Sequence, residues 1–113
     1  MNVEHPLADD LVELIAERFR VLSEPTRIKL LDRLRDGEAT VNGLTESIGA
    51  TQQNVSKHLG VLRQAGLVSR RKDGNHVYYS IADDGVFALC EIVCGSLRDE
   101  LVALHGVVAG VGG

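Results

Sequence analysis

Two groups of residues in this chain have the type and spacing to do chemistry. The first lies within residues 51–67, TQQNVSKHLGVLRQAGL. At about 100° per residue, Gln53, Ser56, Lys57, Gly60 and Gln64 fall on one side of a helix, and Val55, Leu59 and Leu62 on the other. Amides hydrogen-bond base edges in the major groove, and a lysine serves phosphate or guanine. Gly60 removes a side chain where a backbone could come close. Thr51 is a suitable N-cap, and Gly66 stands where a glycine ends a helix. Ser56-Lys57-His58 offers a hydroxyl and an imidazole, but consecutive helix residues diverge by about 100° and cannot meet as a nucleophile and its base. With no Gly-rich phosphate loop or His-Glu-x-x-His motif, the residues argue against an enzyme.

The second group is Cys90 and Cys94. At i and i+4 they share a helical face, so both could ligate one soft ion. Two thiolates are too few for a tetrahedral site, and a second protomer or another ligand would have to complete it. Exposed thiolates of low pKa also oxidise. An intrahelical disulfide conflicts with the fixed Cβ directions. The pair equally suits packing, because cysteine is a common small apolar filler and lies here among Val86, Val93, Leu97 and Leu101. His105 is a lone histidine near the end of the chain, in keeping with a solvated surface residue.

These groups need elements to hold them. Pro6 to Leu22 reads as a helix, with Leu7, Leu11, Leu14, Ile15, Phe19 and Leu22 at three- and four-residue steps. Val12, Ala16 and Val21 widen its apolar surface enough for two contacts, one within the domain and one with a partner. Ser23-Glu24-Pro25 starts the next helix, with Ser23 as cap and Ile28, Leu30, Leu31 and Leu34 as apolar positions. A short helix from Val41 to Ile48 follows, capped by Thr40, ended by Gly49 and packed through Leu44 and Ile48. A tight Gly49-Ala50-Thr51 connection leads into the polar-faced helix, and two helices so joined make a helix-turn-helix whose second member is the reader. Leu67 to Lys72 and His76 to Ile81 are strand-like around Asp73-Gly74-Asn75, a strong hairpin signal. That hairpin carries Arg70, Arg71, Lys72, Asn75 and His76, as a DNA-contacting wing would. Asp83-Asp84 caps a last helix to about Leu104, whose stripe of Val86, Cys90, Val93, Cys94, Leu97, Leu101 and Leu104 has only the first helix left to cover it. A homodimer through the first and last helices solves both faces. The tail, residues 106–113, should fray.

The 113 residues fit one domain, with a core small enough to gain from pairing. The formal net charge is −4, which alone argues against a polyanion. Its distribution reverses that. Residues 1–50 hold ten acids and six bases, residues 83–113 five acids and one base, but residues 51–82 hold Lys57, Arg63, Arg70, Arg71 and Lys72 against Asp73 alone. Local field steers a polyanion. No apolar run approaches a membrane span and no leader pattern opens the chain, so a cytoplasmic protein without membrane contact is expected. Two close cysteines are no secreted disulfide framework.

In order, Leu22-Ser23-Glu24-Pro25-Thr26-Arg27, Gln53-Asn54-Val55-Ser56-Lys57-His58-Leu59, Leu62-Arg63-Gln64-Ala65-Gly66-Leu67-Val68 and Gly74-Asn75-His76-Val77-Tyr78-Tyr79 resemble the ArsR/SmtB family of winged-helix repressors over roughly residues 15–100. The resemblance implies a mostly α fold with a small β-hairpin, ordered α-α-α-α-β-β-α. Residues 1–22 and 84–104 would dimerise, 40–66 form the helix-turn-helix and 67–82 the wing. It implies a homodimer on a palindromic operator in double-stranded DNA, released by an inducer. Gln52, Gln53, Ser56 and His58 are then assigned to base edges or nearby phosphates, Lys57, Arg70, Arg71 and Lys72 mainly to phosphates, and Arg63, Asn75 and His76 to the rest of the DNA surface. The family's metal sites are not matched. The stretch Val41 to Ile48 lacks the Cys-x-Cys of one site. Asp83-Asp84-Gly85, with Ser96 and Asp99 later, lacks the histidines of the other. No cofactor is required by this reading, and a soft metal or metalloid would have to use Cys90 and Cys94.

Overall fold

The computed structural model describes residues 5–105, apart from the side chains of Phe87 and Cys90. Helix α1 covers Asp9–Leu22, α2 Pro25–Leu34, strand β1 Ala39–Thr40, α3 Val41–Ile48, α4 Gln52–Gln64, β2 Val68–Asp73, β3 His76–Ile81 and α5 Asp84–His105. The expected mostly α winged helix-turn-helix is thus present, with one strand added. The chain divides after Ala82 into two units.

In the first unit, leucines from three helices meet at one centre. Leu30, Leu31 and Leu34 of α2, Leu44 of α3, and Val55, Leu59 and Leu62 of α4 are all buried, with Leu67, Val68 and Tyr79 closing the sheet side. Each such aliphatic side chain contributes about 1.5–3 kcal/mol on leaving water. Helix α4 packs on both α2 and α3 and then on β2, so the core grips the expected apolar face of the reader helix from several sides. Ile28, the remaining apolar position of α2, is 44% exposed, because its place in the helix turns away from the Leu30–Leu34 side.

Local chemistry sets the helix ends. Helix α1 begins at Asp9 rather than Pro6, after an extended Ala8, and places Asp9 and Asp10 in its first turn, where the positive end of the helix favours acids. Ser23 does not cap α2 as expected. Its hydroxyl donates to the Arg20 carbonyl at the end of α1, and the Glu24 carboxylate accepts from the Thr26 N–H instead. Thr40 caps α3 through the Gly43 N–H, and Thr51 caps α4 through the Asn54 N–H. Gly66 takes φ 80°. There the Gly66 N–H donates to the Arg63 carbonyl and the Leu67 N–H to the Leu62 carbonyl, the paired bonds that close a helix on a left-handed glycine.

Strands β2 and β3 pair antiparallel from Val68 opposite Ile81 to Asp73 opposite His76. The two-residue Gly74-Asn75 loop has positive φ only at Gly74, as a type II′ hairpin turn requires. The sequence did not suggest β1. Its two residues pair with Tyr79 and Tyr78, giving a three-stranded sheet of order β1-β3-β2.

The second unit is described by itself. Asp83 accepts from the Gly85 and Val86 N–H groups and so caps α5. Val93, Leu97, Leu101 and Leu104 recur along this helix and are exposed, Leu104 by 82%. On α1, Leu11, Val12, Leu14, Ile15 and Phe19 are likewise exposed, Leu14 by 68% and Phe19 by 54%. No helix among the described residues is long and apolar enough to cross a membrane. The tail at 106–113 lies outside the described residues.

Candidate nucleic-acid interface

With Val55, Leu59 and Leu62 sealed in the core, the opposite side of α4 is left to solvent. Gln52, Gln53, Ser56, Lys57, Gly60, Arg63 and Gln64 are all exposed. The amide-bearing surface inferred from the helical repeat is therefore a real surface, continuous from the N-terminal turn to the last. The amide of Gln52, the first residue of α4, donates to Oδ1 of Asn42 on α3 at 2.8 Å. That bond steadies a side chain at the end of the reader helix that usually approaches base edges. Sequence reasoning missed Asn42, because nothing local links it to a residue ten positions on. At Gly60 an added Cβ would meet nothing within 4 Å, so no neighbour within the chain accounts for a glycine in mid-helix.

His58 is not on this surface. It is 6% exposed, and its Nδ1 accepts from the Nε of Arg27 at 3.1 Å. The expectation that His58 touches DNA is corrected by helix geometry: position 58 is three residues after Val55 and four before Leu62, hence on the buried side.

The wing divides by strand alternation. Val68, Arg70 and Lys72 share one face of β2, the face that Val68 commits to the core, and Ser69, Arg71 and Asp73 share the other. Arg70, Lys72, Asn75 and His76 are exposed. Arg71 is differently placed. Its Nη2 and Nε donate to the two oxygens of Glu38 at 2.6 and 3.3 Å, its Nη1 lies 3.6 Å from Asp73, and its guanidinium stands 4.7 Å from the centre of the Tyr78 ring. These hydrogen bonds from Arg71 hold the Glu38 carboxyl below its ordinary 4.5, and Glu38 in turn raises Arg71. The forked pair ties β2 to the segment just before β1, so Arg71 serves the wing as a tether. Ser69 and Ser80 add a cross-strand hydroxyl bond at 3.0 Å.

Among the described residues no group of three or more His, Cys, Asp or Glu side chains could hold a metal ion. Cys94 is free and exposed on α5. Its partner in the sequence pattern, Cys90, lies outside the described side chains.

This arrangement recurs in known proteins. The model of the arsR family of bacterial regulatory proteins matches residues 24–70. The HTH-type transcriptional regulator KmtR of Mycobacterium tuberculosis is 43% identical over 81 residues, which are 72% of this chain and 62% of KmtR, so the match spans less than two thirds of that relative. The HTH-type transcriptional regulator Rv0081 of the same species is 36% identical over 108 residues, 91% of this chain and 95% of Rv0081. Its crystal structure superposes with a TM-score of 0.76, covering 88% of this chain and 100% of that one at 35% identity. The homodimeric winged helix-turn-helix domain of Mb0332 from Mycobacterium bovis gives the same TM-score at 27% identity, over 91% of this chain and 98% of that one. A core that presents α4 and its wing in this way, on a chain 36% identical to such a regulator over 91% of its length, identifies a winged helix-turn-helix member of the arsR family of bacterial regulatory proteins.

Proposed function

We propose that the protein is a homodimeric transcriptional repressor that binds a roughly palindromic operator in double-stranded DNA. The observation that carries this reading is the division of α4: one side locked into the core, the other an uninterrupted surface of Gln52, Gln53, Ser56, Lys57, Gly60 and Gln64. Gln52, Gln53 and Ser56 are assigned to base edges. Lys57, Arg63, Arg70 and Lys72 are assigned to phosphates, with Asn75 and His76 at the wing tip. The exposed apolar stripe on α1 supplies a self-complementary face, and two protomers would set two reader helices one duplex turn apart, about 34 Å. The Mb0332 domain is homodimeric, which supports the same assembly here. Membership of a family of DNA-binding regulators also supports a regulator rather than an enzyme, working in the compartment that holds the DNA.

Release by an inducer is assigned to the thiols of α5. Cys94 is exposed, as a soft metal, a metalloid or an oxidant requires. The test is an anisotropy titration against DNA from upstream of the protein's own coding region. It is run reduced, oxidised, and with arsenite, cadmium or copper(I), beside a Cys90→Ser, Cys94→Ser variant. Sequence-selective binding that weakens under one of these conditions in the parent protein only is the expected result. Equal affinity for unrelated duplexes would remove the repressor reading, and identical responses of both proteins would remove the thiol assignment while leaving the repressor.

A further inference from the structure

Arg27 joins three helices. Its Nε–H donates from α2 to Nδ1 of His58 on α4, at 3.1 Å, and its Nη1–H donates to the carbonyl of Val21, the buried residue of α1, at 3.0 Å. A guanidinium carries donors only, so the nitrogen that receives from it must present a lone pair. His58 therefore bears its proton on Nε2. That nitrogen faces Glu24, whose Oε2 stands 4.0 Å away, beyond hydrogen-bond reach. Glu24 Oε1 is engaged by the Thr26 N–H at 3.2 Å. Oε2 is buried and has no hydrogen-bond partner among the described residues. The Glu24 side chain as a whole is 34% exposed, and a matching donor for this enclosed oxygen, Nε2–H of His58, stands about 1 Å beyond hydrogen-bond length.

We infer that Glu24, Arg27 and His58 form a positioning joint that sets the angle of the reader helix relative to α1, and so carries the geometry of the dimer face to the DNA-reading face. None of the three touches DNA in this account. His58 follows Ser56 and Lys57 directly on one rigid helix, so a shift of His58 moves both. On α1, the carbonyl that Arg27 grips belongs to Val21, on the helix whose opposite side exposes Phe19. The joint would work by passing between the arrangement seen here and a second, closed one. In one, the gap at Glu24 Oε2 is open; in the other, Nε2–H of His58 closes it and draws α4 toward the start of α2. Dimer geometry selects between them, as coupling requires of any two-state element. The inference rests on the repressor reading above.

Three variants separate the joint from simple packing. His58→Leu keeps a similar volume and removes both ring nitrogens. His58→Asn keeps an acceptor near the Nδ1 position. Arg27→Met removes the donors. Each is measured for folding by thermal melting, for assembly by sedimentation and for affinity toward the upstream duplex and toward a scrambled one. His58→Leu and Arg27→Met are expected to remain folded dimers, to lose about ten-fold in affinity for the upstream duplex and to keep their affinity for the scrambled one. His58→Asn is expected to recover the part of the loss that belongs to the Arg27 bond and not the part that belongs to Nε2–H and Glu24. A His58→Leu protein that binds like the parent, or a His58→Asn protein no better than His58→Leu, overturns the joint. Should the variants fail to fold, the parent protein decides: long-range proton–nitrogen spectra are expected to show Nδ1 of His58 unprotonated and Nε2 protonated, and the reverse tautomer overturns the joint. A parent protein indifferent to duplex sequence instead overturns the repressor reading beneath it, so the two failures are distinct.

Discussion

At the scale of single residues, the wing cations are not equivalent. Arg70 and Lys72 share the strand face of Val68, while Arg71 is forked onto Glu38. Replacing Arg70 or Lys72 by alanine is expected to weaken binding to all duplexes alike and to flatten the slope of log affinity against log salt by about one unit. Arg71→Ala is expected to leave that slope nearly intact, because its charge is already matched by Glu38, and to act through a looser wing. Salt titrations of the three variants check this, and equal slope changes would return Arg71 to the phosphate contacts. Gly60 allows a second test. An exposed mid-helix glycine costs about 0.5–1 kcal/mol relative to alanine, and a Cβ there meets nothing within the chain. Gly60→Ala is expected to raise the melting temperature and lower DNA affinity. If affinity is unchanged, no DNA backbone comes close at that point.

At the scale of elements, the two ends of the DNA surface depend on different interactions. The Thr51 hydroxyl holds the first turn of α4 by accepting from Asn54. Thr51→Ala should cost about 1 kcal/mol in denaturant unfolding, whereas Thr51→Ser should cost little. The wing, held by the β2–β3 ladder, is also tied by the exposed Glu38–Arg71 fork. Because the folded protein holds the Glu38 carboxyl below its ordinary 4.5, this support is fully present at neutral pH and is lost as pH falls through that lowered value. Amide exchange in β2 and β3 should therefore accelerate relative to α4 only in the acid range, and Glu38→Gln should remove the pH dependence. The sequence made α4 legible because its apolar and polar residues separate cleanly on a helical repeat. It made the hairpin legible because Asp73-Gly74-Asn75 interrupts two β-rich runs. Strand β1 was not legible: two residues carry no period, and Ala39 and Thr40 become a strand only by pairing with Tyr79 and Tyr78. The Glu38 fork and the Asn42–Gln52 bond were hidden for the same reason, since each joins residues that only folding brings together. His58 is a different case. Three residues after Val55 and four before Leu62, it falls on the apolar side of the repeat, whereas the family resemblance assigned it to DNA.

At the scale of the whole molecule, the reader surface is useful only if it is presented twice. Leu14, Ile15 and Phe19 are exposed on a single protomer, and such a stripe is costly unless a partner covers it. Phe19→Glu is expected to shift the dimer toward monomers in sedimentation and to reduce affinity for a full operator much more than for a half-site. Unaltered sedimentation would move the pairing face off α1. The uncovered stripe also governs dose. Where most protomers are single, paired protein rises with the square of their number, and a halving of synthesis leaves about a quarter of the paired form. A gene silenced this way would switch back on over a narrow range of expression, with a sharpness set by grease on the first helix rather than by the reader helix.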